Sequence, residues 1–176
     1  MRQAEGLPRI RPARPADIAA LVAVQQAAEL AALGHIFPPH EYAYPAQAVA
    51  ERWRTALTAS EVQVLLAERR GEAVGLAGVA PGWLDGLFVV PALWGSGLAD
   101  RLHDAAVTDL RAQGHSRCRL WVLEANHRAR RFYERHGWRP DGRRQAAPFP
   151  PYPGEVRYER DLGEVGTNAV RTHHGP

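Results

Sequence analysis

The chain has 176 residues, 45% of them hydrophobic, and a formal net charge of +3. That suffices for one well-packed domain, expected over residues 1–162 with a loose tail at 163–176, and is too short to expect two. No run approaches the roughly 18 to 20 apolar residues of a membrane span, the charge is too modest to argue for nucleic acid, and the single Cys118, unable to form an internal disulfide, suits a reducing cytoplasm.

Arg9-Ile10-Arg11-Pro12 reads as a brief first strand. Asp17 is placed to cap the helix that follows, where Ile18, Leu21, Val22, Gln25, Ala28 and Leu33 recur at helical spacing until Gly34. Residues 35–45 hold three prolines and three aromatics. Such a stiff, partly apolar loop reads equally as packing and as one wall of an acceptor pocket, with Glu41 a candidate for holding a cationic acceptor. A second helix over about 46–57 buries Val49, Trp53 and Leu57. Strands over 62–68 and 73–79 follow, joined through Arg70-Gly71-Glu72 as a hairpin.

The centre of the chain is a buried strand, Leu87-Phe88-Val89-Val90, stopped by Pro91, which has no N–H to give a neighbour. Gly95-Ser96-Gly97 comes next. Leu98, Leu102, Ala105, Ala106 and Leu110 then mark one face of a helix. Strand, glycine turn and helix together make an anion-binding geometry: a ligand can approach a backbone without Cβ atoms, and the first-turn N–H groups point at it. All 22 basic residues are arginine, so the lysine of a P-loop is missing, and Asp100 stands where a dinucleotide fingerprint needs its third glycine.

Residues 117–123 read as a strand with both faces largely covered. Asn126 is placed to cap a helix carrying Ala129, Phe132, Tyr133 and His136 on one face and ending at Gly137. A strand near Trp138 and another over 155–161 flank a proline- and aromatic-rich loop at 148–154. Between Arg111 and Arg144 ten arginines face three acids, a cluster that suits an anionic ligand or a solvated surface equally. The nearby aromatics sit at core-like spacings and are not interleaved as in a nucleic-acid module. Cys118 reads as a small core residue. His173-His174 lacks carboxylate or thiol company, and His103, His115, His127 and His136 show no ligand spacing, so no metal site is expected.

Two of these stretches resemble signatures of the GNAT superfamily of N-acyltransferases. Trp94-Gly95-Ser96-Gly97-Leu98-Ala99 is similar to the family's Arg/Gln-x-x-Gly-x-Gly/Ala pyrophosphate loop, with Trp94 where Arg or Gln is usual. Asn126 to Trp138 is similar to Asn-x-x-Ala-x-x-Phe-Tyr-x-x-x-Gly-Phe, with Trp for the last Phe. In element order the resemblance covers about residues 9 to 162. It implies an α/β fold of the α+β type, with a mixed, mostly antiparallel sheet of six to seven strands and helices on both faces. It also implies acetyl-CoA as acyl donor, held by Phe88, Val89, Val90, Trp94, Gly95, Ser96, Gly97, Leu98, Ala99, Asp100, Asn126, Ala129, Phe132 and Tyr133. In the family the fourth and fifth strands splay to admit pantetheine, and Tyr133 stands where the acid for the leaving thiolate is found.

The acceptor implied is a primary amine of a small molecule or peptide, and a homodimer is possible. An alkyl amine of pKa about 10.4 costs about 4.6 kcal/mol to deprotonate at pH 7, an α-amine near 7.8 only about 1. A base is therefore needed for the first kind, and Asp85 is the foremost candidate, followed by Glu124. The reading from a different class is a non-catalytic module that keeps the fold and senses acyl-CoA.

Overall fold

In the computed structural model, which describes residues 6–163, the strands are β1 (Arg9–Pro12), β2 (Gln63–Arg69), β3 (Glu72–Ala80), β4 (Trp83–Val89), β5 (Arg117–Leu123), β6 (Arg139–Ala146) and β7 (Gly154–Asp161). The helices are α1 (Ile18–Leu33), α2 (Ala46–Thr58), α3 (Leu98–Ala112) and α4 (His127–Arg135). The strands form one sheet in the order β1-β2-β3-β4-β5-β7-β6. Every neighbouring pair is antiparallel except β4 with β5. This is the mixed, mostly antiparallel sheet expected, and its central strand begins four residues earlier than its apolar run.

Strand alternation divides the core into two layers. Val64, Leu66 and Leu76 face α1 and α2, which bring Leu21, Val24, Val49 and Trp53. Leu65, Ala67, Ala77 and Val79 turn to the other face, where Leu98, Leu102, Ala106 and Leu110 of α3 and Tyr133 of α4 cover them together with Leu120 and Val122. Helices thus cover both faces of the sheet.

Two local expectations are corrected. Asp17 precedes α1, but its carboxylate makes no cap hydrogen bond to that helix. It accepts from the Arg11 guanidinium at 2.8 and 2.9 Å and from the Arg14 backbone N–H at 2.7 Å. A charge-assisted pair with a strand arginine outweighs a neutral cap. The 19-residue span Pro15–Leu33 also contains an 18-residue window of mean hydropathy 1.4, long and apolar enough to cross a membrane. Alanine gives it that composition, and α1 lies against the sheet with Leu21, Val24, Gln25 and Ala28 buried. The tail from residue 164, with His173 and His174, lies outside the described residues.

Candidate active site

The site opens where β4 and β5 part. These strands pair only at Trp83 with Arg119, where the Arg119 N–H donates to the Gly82 carbonyl at 2.9 Å. Just beyond, the register between β3 and β4 jumps from Val79–Leu84 to Gly78–Gly86, leaving Asp85 as an extra residue in β4. A bulge of this kind bends its strand. Past it no further pairing of β4 with β5 occurs among the described residues.

Alternation decides which backbone groups face the gap. The Val90 N–H donates to the Val74 carbonyl at 3.0 Å. In an antiparallel ladder Phe88 then also turns its N–H to β3, while Leu87 and Val89 turn theirs to the β5 side. Of the expected trio Phe88, Val89 and Val90, Val89 is the residue whose N–H is directed at the open slot. Its carbonyl accepts the Trp94 indole N–H at 2.7 Å.

A cavity of about 160 Å³ occupies this place. Ala28, Glu29, Ala32 and Leu33 of α1 wall one side, Leu87, Phe88 and Val89 form the floor, and Trp94, Ala99, Asn126, Arg128, Ala129, Phe132 and Tyr133 close the other side. Eight of the expected donor-site residues therefore line it. Val90, Gly95, Ser96, Gly97, Leu98 and Asp100 belong to the strand end, turn and first helical turn next to Trp94 and Ala99.

The glycine turn is a conformational requirement. Gly95 and Gly97 have φ of 78° and 84°, and a Cβ on either would meet nothing within 4 Å. L-residues other than glycine rarely adopt that φ. The Leu98 N–H has only a long contact of 3.4 Å to Ser96 Oγ, and the next amides have no acceptor in their own helix. Asp100, whose carboxylate would repel a pyrophosphate, turns aside to His136 Nε2 at 3.0 Å. The Arg128 guanidinium stacks on the Trp94 ring at 3.9 Å from its centroid, so a cation stands against the residue that replaces the family's Arg or Gln. Asn126 caps α4 as expected, its Oδ1 accepting the Ala129 N–H at 3.1 Å.

Tyr133 is buried and packs edge-on to Phe132 and Trp138. Tyr133 is part of the cavity wall, and burial pushes its phenol well above its ordinary pKa. None of the carboxylates singled out in the sequence lines the cavity. Asp85 is half exposed and pairs with Arg52 at 2.9 Å, Glu124 pairs with Arg144, and Glu41 lies exposed beside His40 at 3.3 Å. The loop at 148–153 is likewise absent from the lining, with Phe149 and Tyr152 exposed. From the other proline-rich loop, the His35 Nε2–H donates to the Ala125 carbonyl at 3.1 Å, tying the end of α1 to the turn before α4.

Glu29 and Arg128 are the functional candidates missed in the sequence. A signal for Glu29 existed: it stands four residues after Gln25 on the inward face of α1, where a carboxylate has no ordinary reason to be. Arg128 gave no signal separable from the other arginines of its helix.

Cys118 is fully buried, and burial pushes its thiol up to about 12, which leaves it unsuited to act as a nucleophile. His103, Asp104 and His136, although not spaced as ligands in sequence, come within 4.8 Å of one another. His103 Nε2 accepts the Trp138 indole N–H at 3.0 Å, and His136 Nδ1–H donates to the Phe132 carbonyl at 2.8 Å.

An open strand edge beside a glycine-turn helix N-terminus offers hydrogen-bonding groups of the kind that amides and phosphates take. The acetyltransferase (GNAT) family model matches residues 26–138, and the chain belongs to that family of acetyl-CoA-dependent acyltransferases. An uncharacterized N-acetyltransferase of Archaeoglobus fulgidus is 30% identical over 105 residues, covering 53% of this chain and 71% of that protein. The PaiA N-acetyltransferase of Thermoplasma acidophilum, solved in complex with coenzyme A, superposes with a TM-score of 0.68 at 16% identity over 88% of this chain and 98% of that one. A GNAT-family acetyltransferase of Streptococcus pneumoniae does so with a TM-score of 0.65 at 21% identity, over 89% and 99%.

Proposed function

We propose that the protein moves the acetyl group of acetyl-CoA to a primary amine by direct attack within a ternary complex. The observation that carries this reading is the meeting of the open β4 edge, the N-terminal turn of α3 and Tyr133 around one cavity. Pantetheine amides suit the open edge of β4 as a further strand would. The pyrophosphate suits the amides of residues 97–100, with the Arg128 guanidinium available for a charge-assisted hydrogen bond.

The amine nitrogen adds to the thioester carbonyl, and the oxyanion accepts the Val89 N–H. The C–S bond then breaks while the new C–N bond is kept, the proton of Tyr133 goes to the departing thiolate, and the proton that the acylated nitrogen sheds restores the Tyr133 hydroxyl by way of water. A phenol of pKa about 10 gives its proton to a thiolate of about 8.5 at a cost of about 2 kcal/mol, and burial raises the phenol further. The thiolate forms between the same apolar walls, where desolvation raises its own proton affinity, so the gap narrows at the moment of transfer. The buried thiol of Cys118 argues against an acyl-enzyme route, and a single free cysteine fits a cytoplasmic protein.

Tyr133→Phe tests the assignment, since it removes only the hydroxyl. On an accepted amine kcat is expected to fall about 10²-fold or more, the scale of general-acid catalysis, with acetyl-CoA affinity unchanged. Wild-type kcat in the variant would remove Tyr133 from the reaction.

A further inference from the structure

We propose that Glu29 receives the acceptor: its carboxylate holds the ammonium of a primary alkyl amine carried on a compact apolar body, and takes the proton that must leave before attack. The inference rests on the acetyl-transfer reading and adds to it the amine's binding group, its base and its chemical class.

Three observations carry it. Glu29 is the sole carboxylate among the residues that line the cavity, which Tyr133 also lines, and makes no ion pair among the described residues. A partly buried carboxylate without a cation, in a ligand cavity, calls for a cationic ligand. Its position is also fixed. The Gln25 amide donates to Glu29 Oε1 at 3.1 Å, and that amide is itself oriented by the fully buried Trp53, whose indole N–H donates to Gln25 Oε1 at 2.8 Å. Finally, its surroundings favour proton uptake. The Tyr44 hydroxyl lies against Glu29, buried and without a hydrogen bond of good geometry, and Arg52, the nearby cation, is committed to Asp85. Burial outweighs Gln25, Tyr44 and Arg52 together and holds the Glu29 carboxyl above the ordinary carboxylate range. The remaining walls on this side, Ala28, Ala32, Leu33 and Phe88, are apolar, which suits a hydrocarbon body attached to the amine.

The proton balance is simple. The ammonium gives one proton to the Glu29 carboxylate, the neutral amine attacks, and the proton passes on to water. An alkyl amine needs this help, and an α-amine, already largely neutral near pH 8, does not.

Benzylamine is the probe. Titrated calorimetrically into protein saturated with CoA at pH 7.5, it is expected to bind the wild type and to bind Glu29→Gln at least tenfold more weakly, with CoA affinity equal in the two. Gln keeps the volume and the acceptor for Gln25, so the fold is retained. In turnover the variant's kcat/KM deficit should shrink as pH approaches 10, where the amine loses its own proton. Absence of benzylamine binding to the wild type overturns the inference, as does equal affinity in the variant or a deficit that is constant with pH. Failure of acetyl transfer itself is read separately, as CoA binding without thiol release with any amine.

Discussion

His103 has no solvent exposure, and burial is the chief reason its pKa falls from 6.5 to about 4, helped by the positive charges of His136 and Arg160 and opposed by Asp104. Its Nε2 accepts the Trp138 indole N–H, so protonation there would set two donors against each other. The folded value lies below the unfolded one, so the unfolded chain takes up the proton first as pH falls. The stability this histidine contributes is complete above pH 6.5 and is lost progressively toward about 4, amounting to about 2 kcal/mol by pH 5. Urea denaturation at pH 7.5 and pH 5 should report that loss, and His103→Gln, which keeps an acceptor for Trp138, should show a flatter dependence. Parallel pH dependences in the two proteins would contradict the assignment.

At the scale of elements, the turn between β4 and α3 carries most of the residues proposed to hold the donor. Gly97 is the N-cap of α3 at φ 84°, and space for a Cβ is not what limits it. Gly97→Val therefore acts through the backbone, costing about 1–2 kcal/mol in the left-handed region and turning the amides of Leu98 and Ala99 off their line. Acetyl-CoA affinity is expected to fall about tenfold or more while the circular dichroism stays native, and unchanged affinity by calorimetry would remove the turn from phosphate binding. This element was legible in the sequence because each signal is local: an apolar run, a proline stop, two glycines, a helical face. The bulge at Asp85 was not, because it exists only in the register between β3 and β4, and no residue type announces it. Asp17 misled for the opposite reason. Its spacing is right for a cap, but the sheet brings Arg11 within 2.8 Å, a tertiary contact that local spacing does not contain.

In the whole molecule, the fold and the residues proposed for the donor were readable, since two motifs about thirty residues apart each carry their own secondary structure and pack on the same face of the sheet. The proposed acceptor half was hidden by distance in sequence. Glu29 and Tyr133 share one cavity lining although α1 packs in one core layer and α4 in the other, and an alanine-rich helix with one inward glutamate gives little warning of that. The loops at 35–45 and 148–154 attracted attention through proline and aromatic content, a property of stiffness and not of position. The central claim joins both halves: one cavity takes acetyl-CoA and an amine and exchanges the acetyl group between them. It is tested most directly by the rate at which free CoA thiol appears when the protein, acetyl-CoA and a panel of primary alkyl and α-amines are mixed. The account predicts saturable, enzyme-dependent thiol release with one equivalent of acetylated amine formed per thiol. Tight acetyl-CoA binding with no thiol release above background for any amine would contradict it and leave the chain a sensor of acyl-CoA.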